Sequence, residues 1–422
     1  MRHVPRQQFL QGLRGVDLAT VTSPPLFLAP LSVLEAGTCW AENPSAFAAP
    51  ALEASAEKRA LLVLRWFLLS LKRQFYVGDI HGTGYVKKPL NAFLGEILVG
   101  TWHNDNHPNV LGQESRNGNK TKTQLLVEQV SHHPPTTALY VWDAENGISG
   151  QAFSRVKMVF NTGLGSHDVA GVGIDICQAG HGMLHIDRFD EDHLIPAPRA
   201  RIKGLLSGSM FPELVGTSYM VSSAGFVSEI RFSPPETGRG VLGWLRSNEE
   251  SRRNRFEAVV YRRDDADKTP LYTVSGQWSG VFTIADGRTG KVIETCDLTD
   301  LRRREGEMVA PEDMDPWESR RAWGAVTEPL SKGHLAEASR EKTRLEKAQR
   351  EMRVAERHAG KTWEPLFFEV EKGRSDTFDR LAAAVPWPTE NKADVMWKVK
   401  EETVRAHKRP FRQGLTPFGR CS

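Results

Sequence analysis

The sequence predicts an α+β protein organised around one large antiparallel β-structure, and three observations carry that reading. From about Gln124 to Leu298, short β-rich runs alternate with turn signals such as ENG, DDAD and ADGRTG. Almost no helical period separates those runs, which excludes the strand–helix alternation of a doubly wound sheet. Strong helical patterns flank the region instead, from Ala56 to about Phe75 and from His334 to His358. A strand series of this kind closes as a barrel or stacks as a sandwich.

The elements follow in order. Phe9, Leu10, Leu13 and Val16 recur at helical spacing before Ser23-Pro24-Pro25 ends the segment. Such an amphipathic stretch closes an apolar tunnel, senses loosely packed membrane or simply frays. Ala56 to Phe75 is apolar nearly all round, as expected of a helix covered on most sides. The strand runs are QLLVEQV, TTALYVWD, AFSRVKMVF, RFEAVVYRRD, LYTVSGQWSGVFTI and KVIETCDL. Beyond Asp300 the composition turns to charge and helix. In the long helix, Leu345, Ala348, Met352 and Ala355 form a narrow apolar stripe, while Lys342, Glu346, Arg350, Arg353 and Arg357 share a separate arc of roughly 80°. Residues 401–422 read as a basic, poorly ordered tail.

Composition narrows the function. A chain of 422 residues with 40% hydrophobic and 25% charged residues buries a sizeable core. Its 55 Lys and Arg against 52 Asp and Glu exclude a surface built throughout for nucleic acid. Cys39, Cys177, Cys296 and Cys421 have no CxxC spacing, which argues against a disulfide scaffold or a structural zinc module and fits a reducing cytosol. No secretory signal is readable in MRHVPRQQFLQGLRG. Ala60 to Leu71 is too short to span a bilayer and carries Arg65. Cys421 stands second from the end, so prenylation is excluded and membrane contact is expected to be peripheral.

Two short motifs carry the chemistry. In Glu128-Gln129-Val130-Ser131-His132-His133-Pro134-Pro135, adjacent histidines precede a double proline that ends a strand. Neighbouring strand residues point to opposite faces, so His132 and His133 are poorly placed to share one metal ion, and the bland reading is a strand end with two hydrogen-bonded histidines. Lys87-Lys88-Pro89-Leu90-Asn91-Ala92-Phe93-Leu94-Gly95-Glu96 is a cationic turn with an amide donor; alone it reads as a solvated turn. Lys, His and Asn together supply donors of the kind that hold phosphate. By spacing alone, Lys342, Glu346 and Arg350 read as a solvent face with i,i+4 pairs.

EQVSHHPP, KKPLNAFLGE, SGQWSG and CWAENP, in this chain order together with WESRRAW and EKTRLEKAQREMR, resemble the oxysterol-binding protein family of lipid carriers. The resemblance runs from about Gln8 to Trp363 and is strongest to short members made of the lipid-binding domain alone. It implies a near-complete antiparallel β-barrel around a lipid tunnel, with residues 1–30 as an N-terminal lid, 31–400 as the lipid-binding domain with flanking helices, and 401–422 as the tail. Phe9, Leu10 and Leu13 would then cover the cargo.

The resemblance further implies that a phosphatidylinositol 4-phosphate head group is held at the tunnel mouth by Lys88, Asn91, His132, His133, Lys342, Glu346 and Arg350. The cations and the His donors neutralise a phosphomonoester, and Glu346 orients Lys342 and Arg350. Trp40, Gln74 and Gln178 match the polar cluster that sterol-binding members place deep in the tunnel. Two positions depart: Phe75 stands where Tyr is usual and Ser154 where Asn is usual, so sterol or another neutral lipid shares the claim to second cargo with phosphatidylserine. The expected protein is a cytosolic monomer that needs no cofactor, visits endoplasmic reticulum and Golgi membranes, and exchanges the two lipids without catalysis. The rivals are a lipid sensor of the same fold and a metal-dependent hydrolase using His132 and His133.

Overall fold

The computed structural model describes residues 24–79, 82–104, 121–161, 173–205, 207–233, 253–299, 306–371, 375–388, 393 and 395–420. Phe9, Leu10 and Leu13 of the expected lid lie outside the described residues. The first described elements are a 3-10 turn (Pro25–Phe27), β1 (Leu28–Ser32), a second 3-10 turn (Val33–Trp40), α1 (Pro44–Leu52) and α2 (Ala56–Phe75). The bounds of α2 are those its pattern predicts. Ser55 caps its first turn by accepting from Lys58 N, and Lys72 and Arg73 sit in its last turn, where the helix dipole favours cations. β2 (Lys88–Leu90) pairs with β1 in parallel, apart from the main sheet.

Thirteen strands form that main sheet, and every ladder in it is antiparallel. They are β3 (Ile97–His103), β4 (Lys122–His132), β5 (Pro135–Asp143), β6 (Ile148–Asn161), β7 (Gly173–Ile186), β8 (Glu191–Pro196), β9 (Arg199–Lys203), β10 (Phe211–Ser222), β11 (Phe226–Phe232), β12 (Arg255–Arg262), β13 (Tyr272–Gln277), β14 (Val281–Asp286) and β15 (Val292–Asp297). All 13 strands, from Leu98 in β3 to Cys296 in β15, send a side chain into one apolar cluster that also contains Leu61, Leu64 and Leu68 of α2. Every strand thus shares one core with α2, and the sheet curls as an incomplete barrel whose end strands, β3 and β15, are not paired with each other among the described residues. Two ion pairs pin that helix. Arg59 meets Glu191 of β8 at 2.6 Å, and Arg65 meets Glu294 of β15 at 2.8 Å.

The sheet carries a second cover on its outer side. Leu125 and Val127 of β4 belong to the inner cluster, while Leu126 and Val130 join an outer one with Trp323 of α3 (Ser319–Ser331) and Leu345 of α4 (Leu335–His358). Alternate side chains therefore face two cores, which is why QLLVEQV reads as a continuous apolar run. The chain continues through β16 (Phe368–Val370), α5 (Asp376–Ala382), β17 (Trp397–Val399), α6 (Glu401–Ala406), β18 (Leu415–Thr416) and β19 (Gly419–Arg420).

Two expectations need correction. Residues 401–420 are docked: Arg409 meets Glu318 at 2.9 Å, Phe411 N donates to Asp315 at 2.8 Å, and Trp317 Nε1 donates to Leu415 O at 2.7 Å. Buried carboxylates in the preceding domain supply the acceptors that composition alone did not reveal. The buried side of α4 runs through Ala338, Lys342, Leu345 and Gln349, with Ala348 half-buried and Ala355 exposed. Lys342 therefore lies on the covered seam instead of the solvent arc. Its ammonium is neutralised by Glu346 and its stem is apolar, so it can be buried there.

Candidate functional site

Three distant segments meet where β4 ends. β4 delivers His132 and His133 to the surface, with their rings 4.7 Å apart and at 69° to each other. His132 Nδ1 lies 3.1 Å from the carbonyl oxygen of Ala92. A carbonyl can only accept, so Nδ1 carries the proton, and Nε2 donates to a phosphate oxygen once the ring takes up a second proton. Ala92 directly follows Asn91 and lies four residues beyond Lys88, which is placed by the pairing of Lys88 with Leu28. Lys88 and Asn91 are both half-buried. Burial lowers the pKa of His132, as does the neighbouring His133, whereas the Ala92 carbonyl and the Glu346 carboxylate work the other way. Glu346 of α4 thus lies within electrostatic reach of His132. Lys342 Nζ bonds to Glu346, and Arg350, one turn further, is exposed with no ion-pair partner among the described residues.

Carboxylates behind these groups hold the segments together. Glu96 is fully buried and accepts from Phe93 N at 3.1 Å, Ser319 Oγ at 2.6 Å and Trp323 Nε1 at 2.8 Å, which joins the KKPLNAFLGE corner to α3. Burial pushes its pKa up to about 7 against the pull of those donors. Glu128 is also fully buried and accepts from Leu366 N at 2.7 Å, Phe367 N at 2.9 Å and Arg412 Nη2 at 3.3 Å. It ties β4 to the C-terminal region, with burial raising its pKa. The sequence reading passed over both. The signal was available, because a Glu inside an apolar strand must find donors. Among the described residues no group of three His, Cys, Asp or Glu is arranged to hold a metal ion.

The second set of expected residues separates into two places. Ser154 Oγ donates to Gln178 Oε1 at 3.1 Å across β6 and β7, and Gln178 Nε2 donates to Pro198 O at 3.1 Å. Trp40 lies over the same two strands. A Cβ at Gly150 would meet its ring at 3.2 Å and one at Gly182 at 2.3 Å, so these glycines make the room it occupies. Residues 150 and 154 share one face of β6, as 178 and 182 share one face of β7, and Trp40 is packed against the inner cluster. Trp40, Ser154 and Gln178 thus belong to the concave side. Phe75 ends α2 against Trp278, at 6.1 Å between ring centroids, packed on the same inner cluster as Trp40, with half-buried Gln74 beside it. Tyr76 places its hydroxyl 2.8 Å from Asn254 Nδ2.

The chain is similar to known proteins in sequence and in fold. A family profile described as Oxysterol-binding protein matches residues 7–330. The "Probable transporter efuK" of Hormonema carpetanum is 41% identical over 404 residues, 95% of this chain, which spans 53% of that protein's length. "Protein kes1" of Schizosaccharomyces pombe is 28% identical over 396 residues, covering 92% of this chain and 93% of that one. The fold matches a crystal structure of the Osh1 ORD domain in complex with ergosterol, with a TM-score of 0.63 and 18% identity over 96% of this chain and 88% of the other. It also matches the Osh3 ORD in complex with PI(4)P from Saccharomyces cerevisiae, with a TM-score of 0.61 and 19% identity over 88% and 89%. No described helix is long and apolar enough to cross a membrane.

Proposed function

The chain belongs to the oxysterol-binding protein family, and from that premise we propose that it is a lipid-transfer protein exchanging a sterol-like lipid for phosphatidylinositol 4-phosphate between membranes. The observation that carries the reading is the contact of His132 with Ala92, which joins the end of β4 to the Lys88–Asn91 turn within electrostatic reach of Glu346, beside an apolar concave face. Lys88, Asn91, His132, His133, Lys342 and Arg350 supply cationic and hydrogen-bonding groups for a phosphomonoester, and Glu346 holds Lys342 in place. Burial of the acyl or ring portion would return about 0.8 kcal/mol per methylene, enough in sum to extract a lipid. Leu26 and Phe27, exposed beside α4, offer apolar contact to a membrane surface. The protein would act from the cytosol at endoplasmic reticulum and Golgi membranes, as a monomer and without turnover. Native mass spectrometry of lipid co-purified from its own host tests this: a sterol or a phosphoinositide is expected, and metal with no lipid would favour the hydrolase alternative.

Phosphatidylserine is the second reading for the other cargo, favoured by Phe75, which has no hydroxyl and packs on Trp278. If sterol is the cargo, Phe75→Tyr should raise sterol affinity by a few-fold to about tenfold, the worth of one hydrogen bond. Tight sterol binding by the unaltered chain, with no gain from the substitution, would contradict that placement of the pocket.

A further inference from the structure

Four guanidinium nitrogens beside one indole, and the indole's own N–H, are buried without a hydrogen-bond acceptor among the described residues. The Trp363 ring centroid lies 4.2 Å from Arg353 Cζ and 4.0 Å from Arg412 Cζ. Trp363 Nε1, all three guanidinium nitrogens of Arg353 and Arg412 Nε are buried and make no hydrogen bond among the described residues. A buried N–H with no acceptor is destabilising, and more so when it is charged, so a cluster of five is out of the ordinary for a folded protein.

The neighbouring carboxylates do not meet this demand. Glu128 accepts from two backbone amides as well as from Arg412 Nη2. Asp315 accepts from Trp317 N and Phe411 N. Glu356 Oε1 stands 2.9 Å from Arg353 Nη2 as an ion pair, but the N–H is not aligned on it as a hydrogen bond. Burial lowers the pKa of both guanidinium groups below the usual arginine range, as expected of cations short of negative charge. The cluster is a built one: the indole is fixed against Gly95, whose Cβ position lies 2.2 Å from the Trp363 ring. Gly95 has a φ of +79°, so a side chain there is disfavoured twice over.

We propose that Arg353, Trp363 and Arg412 form a buried oxyanion site that takes a phosphate group, separate from the seven residues assigned to the lipid head group. The Arg353 guanidinium, Arg412 Nε and the indole N–H are donors only, and a tetrahedral dianion is acceptor only, so the match is of charge and of hydrogen-bond sense. Arg353 follows Arg350 by three residues on α4, which sets the new site next to the head-group residues along that helix. The phosphate comes either from solution or as a second phosphate on a lipid head group.

Thermal unfolding of the intact chain, titrated with inorganic phosphate against sodium chloride of equal ionic strength, tests the solution source. Extraction from vesicles containing phosphatidylinositol with one or two head-group phosphates tests the lipid source. A saturable rise in Tm, weakened about tenfold or more by Arg353→Gln and by Arg412→Gln but within about twofold of wild type for exposed Arg357→Gln, supports the proposal with free phosphate as ligand. A preference for the doubly phosphorylated lipid that both variants lose supports it with the lipid as source. Arg353→Lys keeps the charge without the fork and is the fallback should either Gln variant fail to fold. Wild-type chain that shows neither a saturable phosphate effect nor a preference between the two lipids overturns it, whatever the variants do.

Discussion

His132 Nδ1 and the carbonyl oxygen of Ala92 are 3.1 Å apart, so the end of β4 and the turn after β2 present their polar groups as one unit. The ring is thereby oriented with Nε2 outward, in a mouth that also feels Glu346 of α4. That arrangement makes the double substitution His132→Ala with His133→Ala informative. His133 is exposed, so its loss should cost no more than about 0.5 kcal/mol, while losing the bond from His132 to Ala92 should cost about 0.5–1.5 kcal/mol. Phosphoinositide extraction from liposomes should be abolished while sterol uptake persists. Loss of stoichiometric zinc together with a hydrolytic activity would point to a metal enzyme.

A stability prediction concerns the open side of the barrel. Arg65 and Glu294 tie α2 to the edge strand β15, with Glu294 almost fully enclosed. Arg65→Met should lower unfolding stability by about 3–5 kcal/mol, because a carboxylate is left buried without its partner. Arg65→Met with Glu294→Met should recover most of that loss. Urea unfolding measures both, and hydrogen exchange in β14 and β15 should quicken in the single variant alone.

Glu96 sets a pH dependence. Its pKa rises from 4.5 to about 7 on folding, so between those values the folded chain holds a proton that the unfolded chain has released. Stability from this group is therefore fully present below about pH 4.5 and is lost as pH rises through 7, by about 3 kcal/mol in all. Glu96→Gln can keep its oxygen toward Phe93 N and Trp323 Nε1 and should flatten that slope. Unfolding curves at pH 4, 6 and 8 that stay parallel for the two proteins would contradict the assignment.

Much of this was legible in the sequence, for identifiable reasons. The near-continuous apolar run from Ala56 to about Phe75 marks α2, whose observed bounds match it, and His334 marks the start of α4 within one position. Strands β7 to β11 were harder to read, because Gly180, Gly182, His181 and His193 interrupt the apolar pattern; these glycines exist to admit Phe153 backbone and the Trp40 ring, which only tertiary structure reveals. The head-group motifs were visible as types in order, yet the burial of Lys342 was not. A lysine and a glutamate four apart look the same on a solvated face as on a covered seam. The docked C-terminal segment was missed because its anchors, Glu128, Asp315 and Glu318, are separated from it by about 90 residues or more.

The central claim is that α4 and the two motifs bind a phosphoinositide head group. Arg350 is exposed, so Arg350→Gln tests it with little effect on folding; Lys342→Gln joins it with a thermal melt alongside, since Lys342 is buried. Lys347→Gln, exposed on the same helix, is the control for general charge. Transfer of phosphatidylinositol 4-phosphate and of sterol between liposomes is the measurement. Loss of both cations should weaken phosphoinositide affinity by on the order of 2–5 kcal/mol with sterol transfer retained and the control near wild type. Equal small losses for the double variant and for Lys347→Gln, on both lipids, would contradict the head-group site.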